Sequence, residues 1–196
     1  MKYRIITISR QYGSGGRIIG KLVAQKLGIK FYDNEIIDLA AKDLGMELST
    51  IRKIAEKKSS PFMYSISSTN FELPLNDQVF TAQSKIIRHL AKEESCVIVS
   101  CCADYILNDF KDVIKVYIHA PLDSRIQRVI HTYEERATDF EKYIKHKDKN
   151  RARYYNYYTD QKWGKATNFD LTMNSDLGIE LIVEQIVQVY NQKSKY

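Results

Sequence analysis

Ile5-Ile6-Thr7-Ile8-Ser9-Arg10-Gln11-Tyr12-Gly13-Ser14-Gly15-Gly16-Arg17, continued by Ile18-Ile19-Gly20-Lys21-Leu22-Val23, decides the fold. The opening run is apolar, β-branched and uncharged as far as Ser9, which is the signature of a strand buried on both faces. Gly13, Gly15 and Gly16 then form a tight loop. Beyond it, Ile18, Ile19, Leu22, Val23 and Leu27 recur at helical spacing, so the loop opens directly into an amphipathic helix. Strand, glycine loop and helix N-terminus together aim backbone N–H groups and a positive dipole end at one point, which suits a phosphate. The stretch approaches the phosphate-binding pattern G-x-x-x-x-G-K-S/T but alters it. With Gly15 as the second glycine, Arg10 stands in the first glycine's place, Gly16 in the lysine's, and Arg17 in that of the magnesium-binding hydroxyl. The backbone cradle is kept and the usual side-chain chemistry is not. The plain alternative is a glycine turn linking a strand to a helix.

The rest of the chain is consistent with an α/β protein built outward from that unit. Its 196 residues suffice for one α/β domain with a full core and a small inserted part. A hydrophobic fraction of 44% and a charged fraction of 28% are those of an ordinary globular protein. A formal charge of +6 favours anionic ligands, whether nucleotide, nucleic acid or membrane surface, without choosing among them. Cys96, Cys101 and Cys102 lack the paired spacing of a zinc site and the spread of a disulfide framework. Reduced thiols in the cytoplasm are the expectation. No apolar run approaches membrane length, so neither an anchor nor a signal peptide is expected, and no metal-ligand set is assigned.

Further along, Ile29–Asp33 reads as a second strand, with Asn34 as the cap of a following helix carrying Ile36, Ile37, Leu39 and Ala40. A helical pattern from about Leu44 to Lys58 precedes a Ser-, Asn- and Pro-rich loop over 59–78, and Phe80, Gln83, Ile86, Ile87, Leu90 and Ala91 resume a helical stripe. Cys96–Ser100, Ile114–His119 and Asp170–Asn174 read as strands, Leu122–Tyr158 as a charged helical stretch, and Ile179–Tyr190 as the last amphipathic helix. Strands alternating with helices imply a parallel sheet with right-handed crossovers in a three-layer α/β/α fold. Ligands of such sheets sit beyond the carboxyl ends of the strands. Arg10 to Arg17, Asp33, Ser100 to Asp104 and Asn174 all follow strand ends and are expected on one face.

Thr7–Arg17, Tyr32-Asp33, Cys96–Val99 with Ala103–Leu107, and Arg151-Ala152-Arg153-Tyr154-Tyr155 with Tyr158-Thr159 and Lys162-Trp163-Gly164 resemble the cytidylate-kinase-like family of P-loop proteins over nearly the whole chain. The glycine loop and the Tyr-Tyr/Lys-Trp-Gly segment are the most distinctive parts. The resemblance implies a three-layer α/β/α P-loop fold with a five-stranded, mainly parallel sheet over 1–196. It further implies a helical acceptor-binding insertion at 34–94, a lid region at 122–165, ATP with Mg²⁺ as donor, and a nucleoside monophosphate such as CMP as acceptor.

Phosphoryl transfer needs positive charge around the moving group and exclusion of water. Arg17 and Arg10 are the cations nearest the loop, and either can stand for the missing lysine. Donor-binding candidates are therefore Arg10, Gly13, Ser14, Gly15, Gly16 and Arg17, with Arg128 implied by the resemblance as a stacking partner of the donor base. Catalytic candidates are Arg17 and the lid arginines Arg151 and Arg153. Two residues apart on a helix, the last two diverge, and Arg151 is the first choice; a solvated charged face is the alternative for each. Asp33 and Asp104 are the acceptor-side candidates, with helix capping as the plainer role of both. Tyr154, Tyr155, Tyr157, Tyr158 and Trp163 are read first as packing and second as base-stacking. Where the family has Gly-Arg after the Val-Ile-Val strand, this chain has Ser100-Cys101, which removes a cation placed for the acceptor phosphate. Three functions thus remain open: a nucleoside monophosphate kinase, a nucleotide-binding protein without turnover, and, third, a module for single-stranded nucleic acid. The oligomeric state is not legible in these residues.

Overall fold

The computed structural model describes residues 3–47, 49 and 74–192. In chain order the elements are β1 (Ile5–Arg10), α1 (Gly16–Leu27), β2 (Lys30–Tyr32), α2 (Glu35–Asp43), α3 (Leu75–Glu93), β3 (Cys96–Val99), α4 (Ala103–Ile106), β4 (Val113–His119), α5 (Leu122–His131), α6 (Phe140–Thr159), β5 (Leu171–Asn174) and α7 (Ile179–Gln192). The sheet runs β2-β3-β1-β4-β5. Every pairing is parallel, so the expected mainly parallel sheet is wholly so.

Alternation along the strands sorts the core onto two faces. Ile6 and Ile8 of β1, Val97 and Val99 of β3, and Ile114, Val116 and Ile118 of β4 pack against Ile19 and Val23 of α1 and Ile182 and Ile186 of α7. Ile5, Cys96, Ile98 and Val113 point the other way, against Ile87 of α3, Ile106 of α4 and Tyr155 of α6. The β1 strand is therefore the spine: it is flanked on both sides, and its carboxyl end opens into the glycine loop.

Several boundaries differ from the sequence expectation. Residues 75–78, read as loop from their composition, belong to α3, which Pro74 precedes at the N-cap. Proline is at home at a helix start because the first turn has no use for its missing N–H. The helical stretch 122–158 is two helices: α5 ends at His131, Glu134 turns with a φ of 53°, and Asp139 restarts the helix by accepting the Lys142 N–H at 3.0 Å. Asn34 stands at the N-cap of α2 but makes no side-chain cap hydrogen bond. The helical pattern read from Leu44 does not continue α2, which stops at Asp43, and the remainder of that pattern with the loop after it lies outside the described residues.

Candidate active site

Gly13 and Gly15 adopt φ values of 76° and 80°, the left-handed region that side chains with a Cβ avoid. Gly15 caps α1 without any side-chain hydrogen bond, and no acidic residue occupies the first turn of that helix. The helix start is thus left without a side-chain acceptor or a neutralising carboxylate of its own, although Gly13 to Gly16 are buried. Neighbouring side chains hold the loop's carbonyls and buried hydroxyl: Ser14 Oγ donates to Gln11 O at 2.8 Å, Ser175 Oγ to Ser14 O at 2.6 Å, and Arg128 Nη1 to Gly13 O at 2.7 Å. Gly16 has a steric reason to be glycine. A Cβ there would lie 2.8 Å from Arg10 Cβ and 3.0 Å from Arg10 Cγ, so the Arg10 stem fills the space beside the first helical residue.

A cavity of about 490 Å³ lies between the carboxyl ends of β1, β2 and β3 and helices α2, α3 and α6, and Tyr12, just before the glycines, lines it. Arg10, Asp33, Cys101, Lys147, Arg151 and Tyr154 are among its lining residues. Asp33 organises the cations at the strand ends: its Oδ2 lies 2.7 Å from Arg17 Nε and its Oδ1 3.7 Å from Arg10 Nη2. Burial, together with the facing Arg151 guanidinium, lowers the Arg10 guanidinium to about 10, against the pull of Asp33. Arg151 Nη1 donates to Arg10 O at 2.9 Å, and its guanidinium lies 5.1 Å over the Tyr12 ring. Two cations held this close are an unfinished arrangement that a polyanion would complete. Cys101 faces the same cations. A hydrogen bond with Cys102 lowers its thiol below the ordinary value, and Arg151 and Arg10 act in the same direction against burial.

The structure thus brings Arg10, Asp33 and Arg151 to the cavity wall, joins Arg17 to it through Asp33, and sets Gly13 to Gly16 with Arg128 behind that wall; two candidates stand apart from all of these. Asp104 is buried at 2% exposure, does not line the cavity, and accepts a hydrogen bond from Tyr155 Oη at 2.8 Å. Burial pushes its carboxyl up to about 6. It belongs to the packing beneath α6 rather than to an acceptor contact. Arg153 is exposed and does not line the cavity, as the divergence from Arg151 leads one to expect. Of the aromatic cluster, three members are packing: Tyr155 is fully buried, Tyr158 stacks on Phe80 at 4.0 Å, and Trp163 meets Tyr117 edge-on at 5.6 Å, whereas Tyr154 lines the cavity and Tyr157 is exposed. Sequence reading missed Asp148, whose carboxylate takes the Tyr12 N–H at 2.7 Å and Arg125 Nη1 at 2.5 Å. No local signal marks it, because the partners lie 136 and 23 residues away.

The profile of the cytidylate kinase-like family matches residues 5–177. The chain belongs to that family. A cytidylate kinase of Methanosarcina mazei is 28% identical over 156 residues, 78% of this chain and 77% of that protein. The crystal structure of an uncharacterized protein from Eubacterium ventriosum superposes with a TM-score of 0.73 at 25% identity, covering 96% of this chain and 98% of that one. The shikimate kinase from Acinetobacter baumannii, solved with shikimate, has a TM-score of 0.56 at 14% identity over 100% and 97% of the two chains, which is a likeness of fold alone. This family member accordingly has the α/β architecture of the P-loop kinases. Among the described residues no helix is long and apolar enough to cross a membrane.

Proposed function

We propose that this protein transfers a phosphoryl group from ATP to a nucleoside monophosphate of the CMP or dCMP type. The observation that carries the reading is the juxtaposition of two anion-seeking features: the uncapped, acid-free start of α1 behind the glycine loop, and the Arg10–Arg151 pair in the adjoining cavity. The donor's phosphates fit the first and the acceptor's phosphate the second. An acceptor phosphate oxygen would attack the γ-phosphorus as the bond to the bridging oxygen breaks, and ADP leaves with that oxygen's charge. Catalysis is then positioning and charge neutralisation.

The chain's own groups divide that work. Gly13 to Gly16 cradle phosphate through backbone N–H groups, with Arg128 bracing the loop at the donor side. Arg10 takes over the room of the missing lysine, and Arg17, held by Asp33, adds a mobile cation at 63% side-chain exposure. Arg151 is the lid arginine, on the 122–165 lid, and α2 and α3, at the two ends of the 34–94 insertion, form the acceptor wall. Mg²⁺ would arrive on the nucleotide phosphates and supply charge neutralisation there. The loop offers it no hydroxyl, since Arg17 stands in that place and Ser14 is fully buried. The free thiols at Cys96, Cys101 and Cys102 suit a reducing cytoplasm.

One feature favours a second reading, nucleotide binding without turnover. Ser100 and Cys101 line the acceptor side where the family carries an arginine, and a charged hydrogen bond is worth about 1.5–3 kcal/mol. The test is ADP release from Mg·ATP with CMP, dCMP, UMP, AMP and small alcohols. Release dependent on CMP or dCMP is the expected result. Bound ATP with no release for any acceptor selects the second reading.

A further inference from the structure

We propose that Asp148 is a positioning residue: its carboxylate fastens the lid helix α6 to the glycine loop and thereby aims Arg151. This rests on the kinase reading above. One carboxylate serves two elements. Its Oδ1 accepts the Tyr12 N–H at 2.7 Å and its Oδ2 accepts Arg125 Nη1 at 2.5 Å, while the same Arg125 nitrogen donates to Tyr12 O at 3.2 Å. Tyr12 is thus held through both its N–H and its carbonyl. The next residue is held too, because a Cβ on Gly13 would lie 2.9 Å from Arg125 O. The shape of the loop's first half therefore depends on where α6 presents Asp148.

The junction is nearly dry, with side-chain exposures of 8% for Arg125 and 16% for Asp148. A buried ion pair is poor evidence of net stabilisation, since an apolar substitute of similar volume is often as stable. What the pair supplies is register between two surfaces distant in sequence. Arg151 follows Asp148 by three residues and so shares its face of α6. Arg151 Nη1 donates to Arg10 O at 2.9 Å. Its remaining N–H groups can meet a phosphate from that position, and Asp148 keeps the helix seated while they do. The tether and the reaching group are separate residues on one turn.

Asp148→Asn tests this directly, because an amide has one acceptor oxygen and must abandon either Tyr12 N–H or Arg125. Turnover, KM for both substrates, melting temperature and amide exchange at Tyr12 are the readouts. Expected are a fall in kcat of about 10²-fold from misplacement, KM values within about threefold because Arg10, Arg17 and Arg128 remain to bind phosphate, and faster exchange at Tyr12. Arg125→Gln breaks the same junction, so the double variant should be no worse than the single ones. A lower melting temperature with unchanged kcat would make Asp148 merely structural. A raised acceptor KM with kcat intact would make it an acceptor ligand. Either result, or additive losses, overturns the proposal. If the native protein releases no ADP with any acceptor, the kinase reading has failed, and Tyr12 exchange unchanged by Asp148→Asn then refutes the tether on its own. Should Asp148→Asn not fold, Arg125→Met, which removes the donor shared by Tyr12 O and Asp148, takes its place: the same loss of kcat supports the tether, and an unchanged kcat overturns it.

Discussion

Replacing Gly16 by alanine adds one carbon 2.8 Å from Arg10 Cβ, 3.0 Å from Arg10 Cγ and 3.6 Å from Ile8 Cγ2. The nearest of these is a Cβ, fixed by the β1 backbone, so the neighbour cannot swing aside as the tip of a long side chain would. Two effects oppose each other. Gly→Ala in a helix ordinarily gains about 0.5–1 kcal/mol by restricting the unfolded chain. Overpacking costs about 1–3 kcal/mol. The clash wins, and we expect a net loss of about 1–2 kcal/mol, seen as a melting temperature lower by roughly 2–8 °C. Turnover should fall further, at least about tenfold, because the strain is relieved by moving the Arg10 stem and a displacement near 1 Å is costly at a reacting centre. The companion experiment is the double change Arg10→Gly with Gly16→Lys, which restores the first glycine and the lysine of the common phosphate-loop pattern and leaves Arg17 in the hydroxyl's place. With the Arg10 stem gone, the new lysine has room, so the pair should recover stability that either change alone loses. Thermal melts and ADP release on the three variants decide the matter. A Gly16→Ala protein as stable and as active as the native one would refute the idea that Arg10 fills the lysine's space.

Arg17→Ala should lower turnover far more than stability, since its own side chain is 63% exposed and Arg10 still faces the Asp33 carboxylate; equal losses in kcat and melting temperature would remove it from the catalytic set. Asp104→Asn addresses a different quantity. Burial raises the Asp104 carboxyl from the ordinary 3.8 to about 6, so the folded state holds this proton more tightly than the unfolded chain does. Its contribution is complete below pH 4 and is lost as pH climbs through 6, which amounts to up to about 3 kcal/mol by pH 8. The asparagine variant should match the native protein near pH 4 and melt higher at pH 8. Parallel curves at both values would place Asp104 outside the titration.

Much of this was legible because it is local. The run Ile5–Ser9 and the glycines after it announce a buried strand feeding a helix, and each later strand lies within a residue or so of its apolar run. Arg10, Asp33 and Arg151 meet because strand ends and one lid helix must converge on the same rim. The misses have physical causes. The start of α3 at Leu75 was hidden by the proline-rich composition before it, although proline is a good helix opener. The break at Thr132–Asp139 was hidden because its charged residues would serve equally well in a helix. Asp104 reads from the sequence as an acceptor-side candidate with a helix-start role as the plainer alternative, yet its setting is made by Tyr155 from α6, 51 residues on. Asp148 carried no signal, since what distinguishes it from the other charges of α6 is the loop it happens to face.

The stacking of Tyr158 on Phe80 has a consequence beyond packing. Together with Tyr158 Oη donating to Asp77 at 2.9 Å and Tyr154 Oη donating to Gln83 at 3.2 Å, it welds α6 to α3. The roof of the cavity and one of its walls are therefore a single rigid piece. A molecule that draws the roof onto the loop also sets the wall for its neighbour, so the ordering of that piece is common to both binding events. Thermodynamic linkage then requires reciprocity: whatever factor the donor adds to the acceptor's affinity, the acceptor adds to the donor's.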